Sequence, residues 1–264
     1  MTDFAFTRSG KQFIPTPRAG SPWGAGLVHG GPPAGLLALA IDDFAGEPDM
    51  QVARMTIDLF RQVPSKPLET AVRTLRKGRR IHVVEASVLA GGEEVTRATA
   101  LLLRTSEASA PQQLAEPEPP EGPDGIEPER AGPPAAGAGR REGFYDSLEV
   151  RRVPQRTESG SQPTWVRLQG TLIEGEPYTP LSRVAATCDF LNALSGGGRR
   201  AGYPSINVDI SLYLHRLPRG EWICLDLTRT LDPSGIGVVR APLYDLDGLF
   251  GVASQAVLRN EMRG

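Results

Sequence analysis

The chain has little of what much dedicated chemistry requires. Two cysteines cannot staple a fold of 264 residues. Cys188 and Cys224 both fall at apolar-patterned positions and read as small core residues. The three histidines, at 29, 82 and 215, show no metal spacing, so no metal is expected. No apolar run approaches the ~20 residues that span a bilayer. The opening MTDFAFTRSGK lacks the basic-then-apolar layout of a signal peptide. The expected compartment is therefore reducing and cytoplasmic, with no membrane attachment. Charge of one sign is missing too: the net charge is −2 with 23% charged residues, so no bulk field draws the chain to nucleic acid or a bilayer surface. There is no GxSxG elbow for a serine hydrolase. GAGLVH at 24–29 fails the dinucleotide fingerprint at its last glycine.

What is present begins with residues 27–44, LVHGGPPAGLLALAIDDF. A His-Gly-Gly turn leads into two prolines, which a helix tolerates only in its first turn. Residues 36–41 are apolar on every side, and a short helix of that kind must be wrapped by the rest of the chain. The wrapper follows. A short strand is expected within 4–14. Residues 51–63 alternate, with Ala53, Met55, Ile57, Leu59 and Val63 on one face. Strands over 68–77, 80–90 and 93–104 complete an antiparallel set. Residues 105–143 differ, with eight prolines and no aromatic residue, and read as a flexible or partly polyproline linker. Past it the pattern restarts. Strands are expected over 144–153 and 164–172. A helix over 180–194 carries Leu181, Val184, Ala185, Cys188, Leu191 and Leu194 at helical spacing. Then come strands over 205–217, 221–229, 236–244 and 249–259. Over 205–217, Ile206, Val208, Ile210, Leu212 and Leu214 share the buried face. Asn207, Asp209, Ser211, Tyr213 and His215 share the polar one.

The halves also match in sequence. Shifted by 155 positions, residues 81–104 align without a gap on 236–259, with Ile81, Val83, Val84, Ala86, Ala98, Leu103 and Arg104 identical. At a slightly different offset, Asp43-Phe44 falls on Asp189-Phe190. This is a tandem duplication. Each unit holds one helix that needs covering and one antiparallel sheet to cover it, in segments 1–104 and 144–264. That arrangement is α+β: two tandem hotdog domains, each a curved antiparallel sheet around a central helix.

With HGGPPAGLLALAID, the duplicated layout and NVDISLYLHR, the chain resembles the double-hotdog acyl-CoA thioesterases of the thioesterase II type. The resemblance implies hydrolysis of acyl-CoA thioesters with no added cofactor, coenzyme A being part of the substrate. It is also compatible with a homo-oligomer built back to back through the sheets. The family's helix Asp, strand hydroxyl residue and last-strand Gln fall on Asp189, Asn207 and Gln255. Asn207 departs from the pattern, since an amide replaces the usual hydroxyl. The compact Asp-and-His motif of hotdog hydratases is absent.

The residues themselves suit this chemistry. A thioester needs its carbonyl oxygen polarised, and the start of a buried helix offers N–H groups and a favourable dipole. Gly30 and Gly31 would let a ligand approach that backbone, or they simply permit the turn. His29 either orients the turn or touches the ligand. Water needs a base, and Asp189 lies at the edge of an apolar helical stripe. The second half lacks His-Gly-Gly, while the first has Ala100 where Gln255 stands. The expectation is one composite site: Gly30–Gly31 from one half, Asp189, Asn207 and Gln255 from the other. Arg199 and Arg200, or Arg76, Lys77, Arg79 and Arg80, are candidates for the phosphates of coenzyme A, or are solvated tips. The competing readings are a non-catalytic acyl-CoA or acyl-carrier binding protein, and another hotdog chemistry or scaffold.

Overall fold

The computed structural model describes residues 3–47, 49–106, 118–131, 141–154, 161–196 and 205–259. Helix α1 (Gly31–Ala45) starts at the two prolines, with Gly30 as its N-cap, and ends at Gly46, whose φ of 55° suits a glycine C-cap. Residues 31–38 and Ile41 are buried. Complete burial of Leu36, Leu37 and Ile41 contributes about 1.5–3 kcal/mol each. Wrapping stops short of the end: Asp43 and Phe44 are exposed.

A single 15-stranded sheet surrounds the helices. Across it run Thr171–Ile173, Phe4–Ser9, Gln12–Pro15, Leu68–Lys77, Ile81–Ala90, Glu93–Arg104 and Met50–Asp58. Then come Asp209–Leu214, Gly248–Arg259, Ile236–Asp245, Trp222–Leu231, Gln162–Leu168, Leu148–Arg152 and Glu129–Arg130, with Ser205–Asn207 beside Gly248–Arg259. The halves join mid-sheet, where Met50–Asp58 pairs antiparallel with Asp209–Leu214. They join again where Phe4–Ser9 pairs parallel with Thr171–Ile173. Only Gln169 and Gly170 separate that last strand from Gln162–Leu168 near the other end, so the sheet curls round on itself.

Helices α1 and α2 (Pro180–Cys188) pack together. They run antiparallel: the start of α1 meets the end of α2 at Asp189, and Asp42 near the end of α1 accepts a 2.7 Å hydrogen bond from Thr179, the N-cap of α2. By contact, then, the counterpart of Asp189 is Asp42, one residue before the position that sequence alignment gives.

Several elements differ from expectation for local reasons. Residues 4–14 form a hairpin, Phe4–Ser9 and Gln12–Pro15, turned at Gly10 with φ 60°. Residues 144–147 are a 3-10 helix, Phe144–Ser147, before the strand Leu148–Arg152. The 162–173 segment splits into two strands around Gly170, whose φ is 76°. Past the strand Met50–Asp58, Val63–Pro64 pairs separately with Leu27–Val28. The 180–194 helix breaks after Cys188 and resumes as α3 (Leu191–Leu194).

Both seam strands carry a bulge. Between Val52 and Arg54 the register slips by one against Glu93–Arg104, at Ala53. Asn207 pairs with Val257, but Ser211 pairs with Ser254, so four steps face three. Val208 stands 155 positions after Ala53, so the irregularity is duplicated with the fold. A bulge reverses facing parity. Val52, Met55 and Ile57 are therefore buried, while Ala53 is only half-buried. Val208 is exposed, and Ser205 is buried upstream of the slip.

Part of the proline-rich stretch is docked rather than loose. The carbonyl of Glu121 accepts a 2.6 Å bond from the Trp165 indole N–H. Glu129–Arg130 pairs with Leu148–Arg152. Ile126 packs on Val153, Trp165, Cys224 and Tyr244. A composition without aromatic residues has no core of its own, but the second half lends it one.

Candidate active site

Leu27–Val28 delivers His29 and the start of α1. Gly30 has φ −64° and no side-chain cap. Its glycine is therefore not demanded by backbone conformation. It is demanded by space: a Cβ there would lie 2.7 Å and 2.8 Å from the two carboxylate oxygens of Asp189. A Cβ on Gly31 would meet the Phe144 ring at 2.5 Å and the Ala186 carbonyl at 2.9 Å.

Asp189 is 7% exposed. Its Oδ1 accepts a 2.7 Å bond from the Asn207 amide. Its Oδ2 lies 2.8 Å from Nδ1 of His29. An ionised carboxylate only accepts, so the proton between them sits on Nδ1. The Gly31 N–H, 3.2 Å from the same nitrogen, then finds no lone pair there. Pro32 and Pro33 have no N–H, and that of Ala34 bonds to the Gly30 carbonyl at 3.1 Å. Gly31 thus carries a first-turn N–H of α1 that has no acceptor within the helix.

Phe144 and Phe190 stack, 5.5 Å between centroids and 18° between planes, and His29 lies 4.8 Å from Phe190. The imidazole that holds the carboxylate is thereby packed against an aromatic pair. A groove of about 560 Å³, lined by Phe60, Arg97, Ile206 and Val208 among others, borders the strand on either side of Asn207.

Gln255 is 1% exposed. Its amide donates 2.8 Å to the Cys188 carbonyl and accepts 3.1 Å from the Asn192 N–H. Asn192 donates to the Ser205 carbonyl at 2.8 Å. Arg229 grips Asn192 Oδ1 and Ser205 Oγ, each at 2.9 Å. Burial holds that guanidinium below its ordinary pKa.

His29, Gly30, Gly31, Asp189 and Asn207 are thus gathered, with Gln255 behind Asp189. Arg199 and Arg200 lie outside the described residues. The stacked phenylalanines and the Asn192–Ser205–Arg229 cluster carry no spacing signal in the sequence. The adjacency of Phe190 to Asp189 is visible there, but the break that re-aims both is not. Asn207 reaches the helix side only because of the bulge, which strict alternation conceals. Among the described residues, no three His, Cys, Asp or Glu side chains cluster as a metal ion would require. No described helix is long and apolar enough to cross a membrane.

Residues 19–103 match the model of the acyl-CoA thioesterase N-terminal domain, and residues 111–259 match that of the C-terminal domain. The chain belongs to the acyl-CoA thioesterase family. Enzymes of this family hydrolyse acyl-CoA thioesters, and acyl-CoA is the substrate class that membership brings. Solved structures share the fold. The TesB protein of Mycobacterium avium subsp. paratuberculosis is 17% identical with a TM-score of 0.71, covering 97% of this chain and 96% of that one. TesB2 of Mycobacterium marinum, an acyl-CoA thioesterase II, is 18% identical at 0.65, covering 89% and 90%. A hot dog protein of unknown function from Alicyclobacillus acidocaldarius is 17% identical at 0.67, covering 97% and 96%. The thioesterase chain is therefore two tandem hotdog units. Among curated proteins, none matches it by sequence.

Proposed function

We propose that this thioesterase hydrolyses acyl-CoA to free acid and coenzyme A at a composite site between its halves. Asp189 takes a proton from water as the water oxygen attacks the thioester carbonyl. The Gly31 N–H, helped by the α1 dipole, faces the oxygen on which charge develops. The carbon–sulfur bond breaks, and the thiolate of coenzyme A leaves with the proton that Asp189 held. His29 and Asn207 each donate to one carboxylate oxygen and fix its plane. Each oxygen keeps a lone pair for water. Asn207 thus does by its amide what a hydroxyl would do from the same strand. Gln255 supports Asp189 from behind, and no added cofactor is needed.

The observation that carries this reading is the contact of Gly30 with the Asp189 carboxylate, which joins a helix start from one half to a base from the other. Thiol release from a panel of acyl-CoAs tests it, with kcat lowered by about 10²- to 10⁴-fold in Asp189→Asn. The second reading, binding without turnover, draws on Asn207 in place of a hydroxyl. It expects acyl-CoA to raise the melting temperature with no thiol released.

A further inference from the structure

We propose that Gln255 is a wedge that breaks the second helix and thereby aims Asp189; it is a positioning residue for the site proposed above. In an unbroken helix the carbonyl of residue i bonds the N–H of residue i+4. Cys188 and Asn192 are such a pair. Here the Cys188 carbonyl accepts from Gln255 Nε2 and the Asn192 N–H donates to Gln255 Oε1. The side-chain amide has entered the ladder and satisfied both ends of the bond it interrupts. Asp189 and Phe190, between the two ends, keep right-handed helical dihedrals but fall outside the regular ladder: the Phe190 N–H bonds the Thr187 carbonyl at 3.0 Å as α2 stops and α3 starts.

The first half is an internal control. Ala100 stands 155 positions before Gln255, and the strand partners correspond as well. Ala100 pairs with Val84 and Met55, and Gln255 pairs with Val239, itself 155 after Val84. Asp42, the counterpart of Asp189, makes Ile41 and Ala45 the counterparts of Cys188 and Asn192. With a methyl group in place of an amide, that turn stays helical and α1 runs unbroken from Gly31 to Ala45. The same fold with alanine keeps its helix, and with glutamine it does not. Inserted side chains are a recognised cause of such breaks.

The geometric part of this inference stands without any activity, and only its kinetic part rests on the thioesterase reading. In a crystal structure of Gln255→Ala, or of Gln255→Met if the alanine variant does not fold, the Asn192 N–H should bond the Cys188 carbonyl directly. The helix should run on through Asp189, with its carboxylate withdrawn from Gly30. kcat should fall by about 100-fold with KM within about twofold, the pattern of a misplaced group that does not hold substrate. Gln255→Glu adds a signature that packing alone would not give. Protonated, the glutamic acid can donate to Cys188 and accept from Asn192; ionised, it can only accept. Its activity relative to the unsubstituted enzyme at the same pH should therefore rise as pH falls. A retained break with Asp189 still against Gly30 would overturn the wedge, as would a rise in KM at unchanged kcat. Absence of hydrolysis by the unsubstituted chain would sink the thioesterase reading and leave the helix test to decide the wedge.

Discussion

Replacing Gly30 by alanine adds one methyl group directly against the Asp189 carboxylate. The backbone there has φ −64°, comfortable for alanine, so any effect comes from contact. The new carbon would lie 2.7 Å from Oδ1, 2.8 Å from Oδ2 and 3.0 Å from Cγ of Asp189. Ordinary contact begins near 3.4 Å, so the carboxylate must retreat by roughly 0.6–0.7 Å, the gap to ordinary packing distance. It is pinned from both sides, by Asn207 at 2.7 Å and His29 at 2.8 Å. Such a retreat strains hydrogen bonds to a charged group worth about 1.5–3 kcal/mol each. A displacement near 1 Å in a catalytic group costs about 100-fold, so kcat should drop by roughly 15- to 25-fold on the same logarithmic scale. The assay is thiol release at saturating acyl-CoA, with thermal melting alongside. Gly35→Ala, one turn along α1, is the control. Its Cβ would meet Leu172 side-chain atoms at 3.1 Å, which can give way, and alanine improves a helix interior by about 0.5–1 kcal/mol. That variant should keep full activity. If Gly30→Ala turned over within twofold of the unsubstituted enzyme, the carboxylate at Gly30 would not be the working base.

The other expectations are simpler. Asp189→Asn should lower kcat by about 10²- to 10⁴-fold, the range of a lost general base, with a folded melting profile; an unchanged rate would remove Asp189 from the mechanism. Asn207→Ala deletes one of the two donors on that carboxylate, and kcat should fall by about 10- to 100-fold as its orientation loosens; equal rates would show that His29 alone suffices. Burial pushes the Asp42 carboxyl above its ordinary value, against the opposing bond from Thr179. The folded state therefore holds its proton at pH values where the unfolded chain has released it, and stability falls as pH rises from the ordinary aspartate value through the folded one. Asp42→Asn should flatten that decline, giving a larger gain in melting temperature at pH 7 than at pH 4. An equal gain at both would contradict the burial effect.

The sequence was legible where a physical period ruled it. The all-apolar run from Leu36 to Ile41 demanded wrapping, and the shift of 155 positions located the second unit. The prolines at 32 and 33 marked the start of α1. Asp189 stands out at the edge of an apolar helical stripe, Asn207 is reached through family resemblance, and the facing of neither can be read from the sequence. Asn207 shares sequence parity with Asp209 and Tyr213, but one extra residue at the seam sends it the other way. The 180–194 helix has continuous apolar spacing, and nothing local interrupts it; the interruption comes from Gln255, more than sixty positions away. Long-range polar insertions leave no periodic trace in the segment that they alter. The docking of residues 118–131 was hidden for a related reason: Trp165 and Tyr244 supply the apolar surface that the segment lacks.

The two ends of the helix pair show why a duplicated chain would keep chemistry at one of them. At each end a carboxylate faces the start of the opposite helix: Asp189 at Gly30, Asp42 at Thr179. At the second end the Thr179 hydroxyl accepts the Ser182 N–H at 3.1 Å and donates to Asp42 at 2.7 Å. Its proton and one of its lone pairs are committed, so the helix start is closed by its own cap. Val52 and Ala100 stand where Asn207 and Gln255 stand, and neither can bond a carboxylate or open a helix. At the first end the cap is a glycine with no side chain, and two prolines clear away neighbouring donors. The Gly31 N–H is left 3.2 Å from the imidazole nitrogen that pins the carboxylate. A closed end favours stability and an open one leaves polar groups for a substrate to satisfy, so losing symmetry is what lets one fused chain hold both.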